Sequence, residues 1–171
     1  MFKITNKDKL IYRLEADNKK RIKAFLKTLS PDGFFFTIPQ NKLSKAGIAD
    51  TLGIYNGVLF AIEVKSLEGK PTALQKVFLR AIVRAGGIAG IARCVADVKI
   101  LLSLSCIING IYEGHRHNSA LILSSIFKKF MSSEQILATL VRWNKRNTPE
   151  LPESELEKII AAIIISDKLT R

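Results

Sequence analysis

The chain has 171 residues, of which 47% are hydrophobic, and a formal net charge of +12. This composition excludes a disordered tail and a disulfide-stabilised miniprotein, and it predicts one domain or two small ones. Residues 1–104 hold 18 Lys and Arg against 8 Asp and Glu, a net charge of +10, whereas residues 105–171 have a net charge of +2. The first part should therefore bind something acidic, such as nucleic acid, an anionic membrane surface or an acidic protein.

The location of the protein is predicted from what the sequence lacks. Its longest apolar stretches, residues 100–108 and 159–165, are far shorter than the roughly 20 residues that a membrane-spanning helix needs. Residues 1–9 lack the apolar core of a signal peptide. Its 2 cysteines have neither zinc-site nor disulfide-framework spacing. We expect a cytoplasmic protein without a membrane partner.

The first predicted elements are a helix, a strand and a hairpin. Apolar residues at three- and four-residue steps predict an amphipathic helix over residues 8–29. An aromatic run predicts a strand at 34–38, followed by a basic loop at 40–45. An Asn-Gly pair between apolar segments predicts a hairpin with strands at 50–55 and 58–65.

A second helix and a buried strand complete this part of the chain. Thr72 can cap the helix, which ends at Gly86-Gly87. A small apolar run predicts a strand at 88–94, and a further helix runs from 95 to about 104. Helices that alternate with strands in this way predict an α/β module.

The rest of the chain is predicted to be helical. Polar, turn-rich residues at 109–118 precede three helices, and Ser132 or Ser133 is available to cap the second of them. The three helices are predicted at residues 119–131, 134–147 and 153–165. We therefore predict an α/β domain at 1–104, a linker at 105–118 and a small three-helix domain at 119–171.

Three charged residues in the hairpin form the most informative group. Asp50 and Glu63 would come from adjacent strands, and Glu63 and Lys65 would project from the same strand face. Two carboxylates in an apolar sheet are costly unless a cation neutralises both. Mg²⁺ suits such a pair, and a nearby ammonium can orient water or offset charge on a phosphate. The pattern favours a metal-dependent phosphodiester site; the alternative is that Glu63 and Lys65 are solvated charges at a strand edge.

Over about residues 10–100 the sequence resembles the VRR-NUC domain, a branch of the PD-(D/E)xK nuclease superfamily. The usual proline before the aspartate is replaced by Ala49, which alters the turn but removes no ligand. The resemblance rests on these segments, which occur in the family's order: Gly47-Ile48-Ala49-Asp50, Ala61-Ile62-Glu63-Val64-Lys65, Gly69-Lys70, Gln75 and Gly86-Gly87.

The resemblance implies a restriction-endonuclease-like mixed sheet flanked by helices, and it implies the roles of the site residues. Asp50 and Glu63 would be metal ligands, and the backbone carbonyl of Val64 would complete the set. Lys65 would be the catalytic lysine, with Gln75 beside the site. Mg²⁺ is the expected cofactor, with Mn²⁺ as the alternative ion.

Further residues can be assigned only with alternatives. Glu15 resembles the acidic ligand that many relatives carry on the first helix, but Asp17 or plain helix-surface charge explains the pattern as well. Five basic residues near the motifs either hold phosphates or form a solvated basic face. They are Lys42, Lys45, Lys70, Lys76 and Arg80.

Residues 110–165 resemble the small helical domain at the C-terminal side of phage and plasmid primases. The match rests on Gly114 to Ser119, the W-N-x-x-N pattern that begins at Trp143, and the P-x-L-P-x-x-E-L pattern that begins at Pro149. We interpret Trp143 as the aromatic anchor of a three-helix core in preference to a base-stacking contact. His115 and His117 form an H-x-H pair, but no further Cys or His is available to complete a zinc site, so a joint or helix cap is favoured.

Three hypotheses follow for function. The first is a Mg²⁺-dependent DNA endonuclease of phage or mobile-element type, acting in a bacterial host cytoplasm on branched or junction DNA. Relatives of this family can act as dimers, so a homodimer is expected by resemblance, and the helical domain would recruit the enzyme to replication primase or helicase proteins or to DNA. The second is a non-catalytic DNA-binding adaptor of such an assembly. The third, membrane-surface binding through the first helix, is weaker because the apolar face of that helix is needed for the core.

Overall fold

A computed structural model describes residues 14–39 and 46–169. Within these residues the chain forms a four-stranded mixed sheet and six α-helices, so the predicted α/β class is confirmed. The strands are β1 (Gly33–Thr37), β2 (Thr51–Tyr55), β3 (Val58–Val64) and β4 (Ile88–Ala92). The helices are α1 (Glu15–Lys27), α2 (Ala73–Arg84), α3 (Val95–Ser103), α4 (Arg116–Phe127), α5 (Ser133–Asn144) and α6 (Glu153–Leu169), and a 3-10 turn (Leu104–Cys106) follows α3.

The sheet has the strand order β1-β2-β3-β4. The first three strands are antiparallel neighbours, whereas β3 and β4 are parallel. Asn56 and Gly57 have φ angles of 48° and 74°, as a two-residue hairpin turn between β2 and β3 requires. A parallel pair needs a crossover, which α2 supplies between β3 and β4.

Helix α1 packs on the sheet beside α3, and α2 packs on β3 and β4. Ile22 and Leu26 of α1 are buried, as the amphipathic pattern predicts. Every residue of β4 is buried, which explains its continuous run of small apolar residues. The site described below lies where α1 meets the ends of β2 and β3.

Hydrogen bonds join the W-N-x-x-N segment of the C-terminal helices to the predicted linker at 105–118. Trp143 is 1% exposed, and its indole N–H donates to the carbonyl of Ile107 at 2.8 Å. The Asn147 side-chain oxygen accepts from the Ile111 amide at 2.9 Å. The interpretation of Trp143 as a core residue is therefore confirmed, and residues of the α/β part and of the C-terminal helices belong to one hydrophobic cluster. The division into two domains stays a prediction.

The ends of several elements differ from the sequence-based expectation. Helix α4 begins at Arg116 instead of 119, and α6 runs to Leu169 instead of 165. Ser132, and not Ser133, caps α5, because its hydroxyl accepts from the Gln135 amide. Residues 8–13 of the first predicted helix and the basic loop at 40–45 lie outside the described residues. No helix in the described part of the chain is long and apolar enough to span a bilayer.

Candidate active site

Asp50 and Glu63 lie next to each other at the end of the β2–β3 hairpin. Thr51 pairs with Ile62, Asp50 comes directly before Thr51, and Glu63 follows Ile62. Asp50 is 5% exposed and Glu63 is 0% exposed. One oxygen of Asp50, Oδ2, accepts a hydrogen bond from the Val64 amide at 2.9 Å. The hairpin therefore brings together two buried carboxylates, as its sequence predicts.

Each carboxylate forms an ion pair with a lysine. Lys19 Nζ lies 2.8 Å from Asp50 Oδ1, and Lys65 Nζ lies 2.6 Å from Glu63 Oε1. The side chain of Lys65 is 12% exposed and that of Lys19 is 36% exposed. The sequence predicts that the carboxylates need a neutralising cation, and in this structure two ammonium groups meet that need.

Lys19 was not singled out by the sequence, yet it joins α1 to the site. Its ammonium also lies 2.9 Å from Glu15 Oε1, one helical turn earlier. Burial lowers the pKa of Lys19, but hydrogen bonds and charge attraction from Asp50 and Glu15 outweigh it, so its pKa is raised. Glu15 is thus linked to Asp50 through a shared lysine, whereas Asp17 is exposed.

Glu63 carries an unsatisfied oxygen. Its Oε2 atom is buried and has no hydrogen-bond partner. Burial raises the pKa of this carboxyl group, the hydrogen bond from Lys65 lowers it, and the nearby charge of Asp50 raises it; the net pKa is above the ordinary value. An unpartnered buried carboxylate oxygen is costly, and a bound cation would compensate that cost.

Gln75 takes part both in the capping of α2 and in the site. Its side-chain oxygen accepts from the Thr72 amide at 2.8 Å, and its own amide donates to the Thr72 hydroxyl at 3.2 Å. This capping box leaves the Gln75 Nε2 group free to donate to Glu63 Oε1 at 2.6 Å. The predicted Thr72 cap is confirmed, and it fixes the direction in which Gln75 reaches Glu63.

Asn18 is a further site-adjacent residue that the sequence did not indicate. It is buried on α1, and its side-chain amide donates to the carbonyl of Lys65 at 3.3 Å. The available signal is helical spacing, because Asn18 lies four residues before the buried Ile22 and shares its face of the helix. Asn18 therefore ties α1 to the end of β3 at the residue that carries the ammonium.

A pocket of about 450 Å³ opens beside Asp50, whereas the fully buried Glu63 does not line it. Its basic wall comes from α1, because Lys19, Lys20 and Lys23 all line it. The other lining residues are Thr37, Ile38, Asp50, Thr51 and Val64. A positively charged wall next to buried carboxylates can hold a phosphate-bearing ligand close to them.

The five predicted phosphate contacts lie in different places. Lys42 and Lys45 are outside the described residues, Lys70 is exposed, and Lys76 is half-buried on α2. Arg80 lines a separate cavity between α2 and α5. The lysines that line the pocket are therefore a different set from the predicted one. The four-residue spacing of Lys19 and Lys23 on α1 was the sequence signal that these two side chains share a face of the helix.

The donor set fits Mg²⁺ by its chemistry. Asp50 and Glu63 offer hard carboxylate oxygens, and Glu63 Oε2 has no other partner. Mg²⁺ typically takes one or two carboxylates and completes its shell with water and phosphate oxygens. No group of three or more His, Cys, Asp or Glu able to hold a metal occurs among the described residues.

The two histidines occupy structural positions. His115 is the N-cap residue of α4, and His117 Nδ1 lies 2.8 Å from Glu155 Oε1 on α6. His115 therefore lies at the N-cap position, one of the two alternatives for this segment, but its side chain makes no capping hydrogen bond.

Comparison of the chain with protein-family models, with curated proteins and with solved structures finds no match.

Proposed function

We propose that this protein is a Mg²⁺-dependent DNA endonuclease of the VRR-NUC type, with the restriction-endonuclease-like fold of that family. It hydrolyses phosphodiester bonds in branched or junction DNA during phage or mobile-element replication. One observation carries the proposal: a buried carboxylate pair beside a lysine-lined pocket, in which Glu63 Oε2 has no partner and Lys65 Nζ lies 2.6 Å from Glu63 Oε1.

Asp50 and Glu63 would hold the Mg²⁺ ion, together with the backbone of Val64. When bound, the ion supplies electrostatic stabilisation for the charge that develops on the phosphate. Lys65 keeps an ammonium group at the carboxylates, where it can orient an attacking water or offset charge on a phosphate oxygen. Gln75 keeps Glu63 in place through its hydrogen bond from the start of α2.

The lysines of α1 would bind the DNA backbone next to the cleaved bond. Lys20 and Lys23 line the pocket, and neither forms an ion pair with a described residue. Lys19 becomes available to a phosphate when Asp50 takes a cation instead. In this proposal the hairpin residues carry out the hydrolysis, and the lysines of α1 position the DNA backbone.

Cleavage of labelled linear, flap and four-way-junction DNA with and without Mg²⁺ tests the proposal. We expect cleavage only with the metal, and we expect Lys65→Ala to abolish it. The control is Lys158→Ala, which removes the same charge from an exposed position on α6. No cleavage of any substrate by the wild type, or unchanged cleavage by Lys65→Ala, contradicts the assignment.

A second candidate is a non-catalytic DNA-binding adaptor of a replication primase or helicase assembly. The pairing of Asp50 with Lys19 and of Glu63 with Lys65 favours it, because both carboxylates already have a cationic partner. Mg²⁺ then adds no stability, whereas a ligand at 100 times its Kd stabilises a folded protein by about 2.7 kcal/mol. A Mg²⁺-induced rise in Tm that is lost in Glu63→Gln supports the nuclease, and its absence in the wild type supports the adaptor.

A further inference from the structure

A second basic site lies between α2 and α5, away from the hairpin residues. A cavity of about 340 Å³ opens there, with Arg80, Arg84 and Arg142 in its walls. We call it the arginine cleft. Its other lining residues are Met131, Glu134, Gln135, Ala138 and Thr139.

The spacing of the arginines brings their side chains together. Arg80 and Arg84 are four residues apart on α2 and share one face of that helix. Arg142 lies in the last turn of α5, and Arg146 follows the helix. Arg84, Arg142 and Arg146 also line a smaller cavity of about 80 Å³. The two cavities share Arg84 and Arg142, so the four arginines line neighbouring cavities between α2 and the end of α5.

These arginines lack compensating carboxylates. None of the four forms an ion pair with any residue that the structure describes. Glu134 is the one carboxylate that lines the arginine cleft. The negative ends of the helix dipoles favour a cation in the last turn of α2 and of α5. That effect accounts for Arg84 and Arg142, but not for two arginines from each segment on one surface.

The chemistry of the arginine cleft favours phosphate. A guanidinium group offers a planar fork of donors that matches two phosphate oxygens, and several such groups suit adjacent phosphates. Among the described residues that line the cleft, Met131 and Ala138 are the two with apolar side chains.

We propose that the arginine cleft binds phosphate groups and forms a second anion site besides the pocket at Asp50. The phosphates belong either to a nucleic-acid backbone or to a free nucleotide. If they belong to DNA, the C-terminal helices contact the substrate directly, and one molecule holds the backbone at two places. The proposal concerns binding alone and does not depend on cleavage.

Binding of a fluorescein-labelled 20-base-pair DNA, measured by anisotropy in EDTA, tests this site without cleavage. The test variant is Arg84→Glu/Arg142→Glu, with Arg84→Gln/Arg142→Gln as a milder version. The control, Lys129→Glu/Lys158→Glu, changes the net charge equally at exposed positions outside the cleft. Thermal melts of all variants verify folding. Parallel titrations use ATP and a polyglutamate peptide.

Loss of two phosphate contacts should make the plot of log K for DNA binding against log salt concentration less steep by about 1.8. The factor by which DNA affinity falls between 50 and 200 mM salt should then be about 12-fold smaller than in the wild type. We expect this for both arginine variants and not for the lysine control. Unchanged DNA binding with loss of ATP binding assigns the site to a free nucleotide. The proposal is overturned if neither ligand is affected, if the lysine control behaves like the arginine variants, or if polyglutamate binding alone is lost.

Discussion

The substitution Glu63→Gln tests whether burial or the neighbouring lysine dominates at the centre of the site. Burial raises the pKa of the Glu63 carboxyl group and the hydrogen bond from Lys65 lowers it, with a net increase. In the unfolded chain this group releases its proton near its ordinary pKa of 4.5, whereas in the folded protein it keeps the proton to higher pH. Between the two values the folded state binds more protons, so stability falls as pH rises. Gln has no proton to release and shows no such fall.

The size of the effect follows from one proton. Within the window above pH 4.5, the free energy of unfolding of the wild type should fall relative to Glu63→Gln by at most about 1.4 kcal/mol per pH unit. A change of 1 kcal/mol shifts the Tm of a chain of this size by about 2–4 °C, which gives about 3–6 °C per pH unit. Well below pH 4.5, where the folded and unfolded states both keep this proton, the difference in stability between the two proteins should no longer change.

Thermal melts in EDTA between pH 4 and 8 measure this difference, because titration of the other groups cancels between the two proteins. The variant Glu157→Gln, at an exposed position of α6, controls for removal of one negative charge. A difference between wild type and Glu63→Gln that is constant with pH, or that grows in favour of the wild type, would refute the reasoning. Such a result would mean that Lys65 outweighs burial.

Three further substitutions probe the elements around the site. Thr72→Ala removes the cap of α2 and should cost about 1 kcal/mol in urea denaturation, whereas Thr72→Ser should retain it; equal losses would contradict the capping role. Trp143→Phe removes the indole N–H that donates to the Ile107 carbonyl, which keeps the Gly110 amide as a second donor, and should cost about 0.5–1.5 kcal/mol, so an unchanged urea midpoint would contradict that contact. Lys19→Gln removes the cation paired with Asp50 and should tighten Mg²⁺ binding by up to about 5-fold in calorimetric titrations; weaker binding would contradict competition.

Local signals in the sequence predicted most of the sheet. The Asn-Gly pair fixed the hairpin, because positive φ angles at both residues match the twist of the strands. The register of that hairpin then placed Asp50 beside Glu63. Thr72 was predicted as a cap from its position before an amphipathic segment, and the capping box confirms it. These features depend on residues close together in the chain.

The features that the sequence missed depend on tertiary packing. Lys19 and Asp50 are 31 residues apart, and no local pattern indicates that α1 crosses the end of the hairpin. The sequence predicts Arg80 as a phosphate contact of the site because it lies near the motifs. It instead lines the arginine cleft beside α5, since residues five apart on a helix, such as Gln75 and Arg80, point in different directions. Spacing predicts which face a residue occupies, but not which element covers that face.

The two lysine pairs of the site differ in how readily they can open. Lys65 is nearly buried and directly follows β3, two residues from Glu63, so its departure would leave the buried Glu63 carboxylate without a cationic partner. Lys19 is more exposed, and Glu15 offers its ammonium a second partner when Asp50 is occupied. A divalent ion would therefore replace Lys19 at Asp50 while Lys65 stays at Glu63. Because Lys19 lines the pocket, the same exchange would free its ammonium group to bind a phosphate, and under the proposed function metal binding would then be coupled to DNA binding.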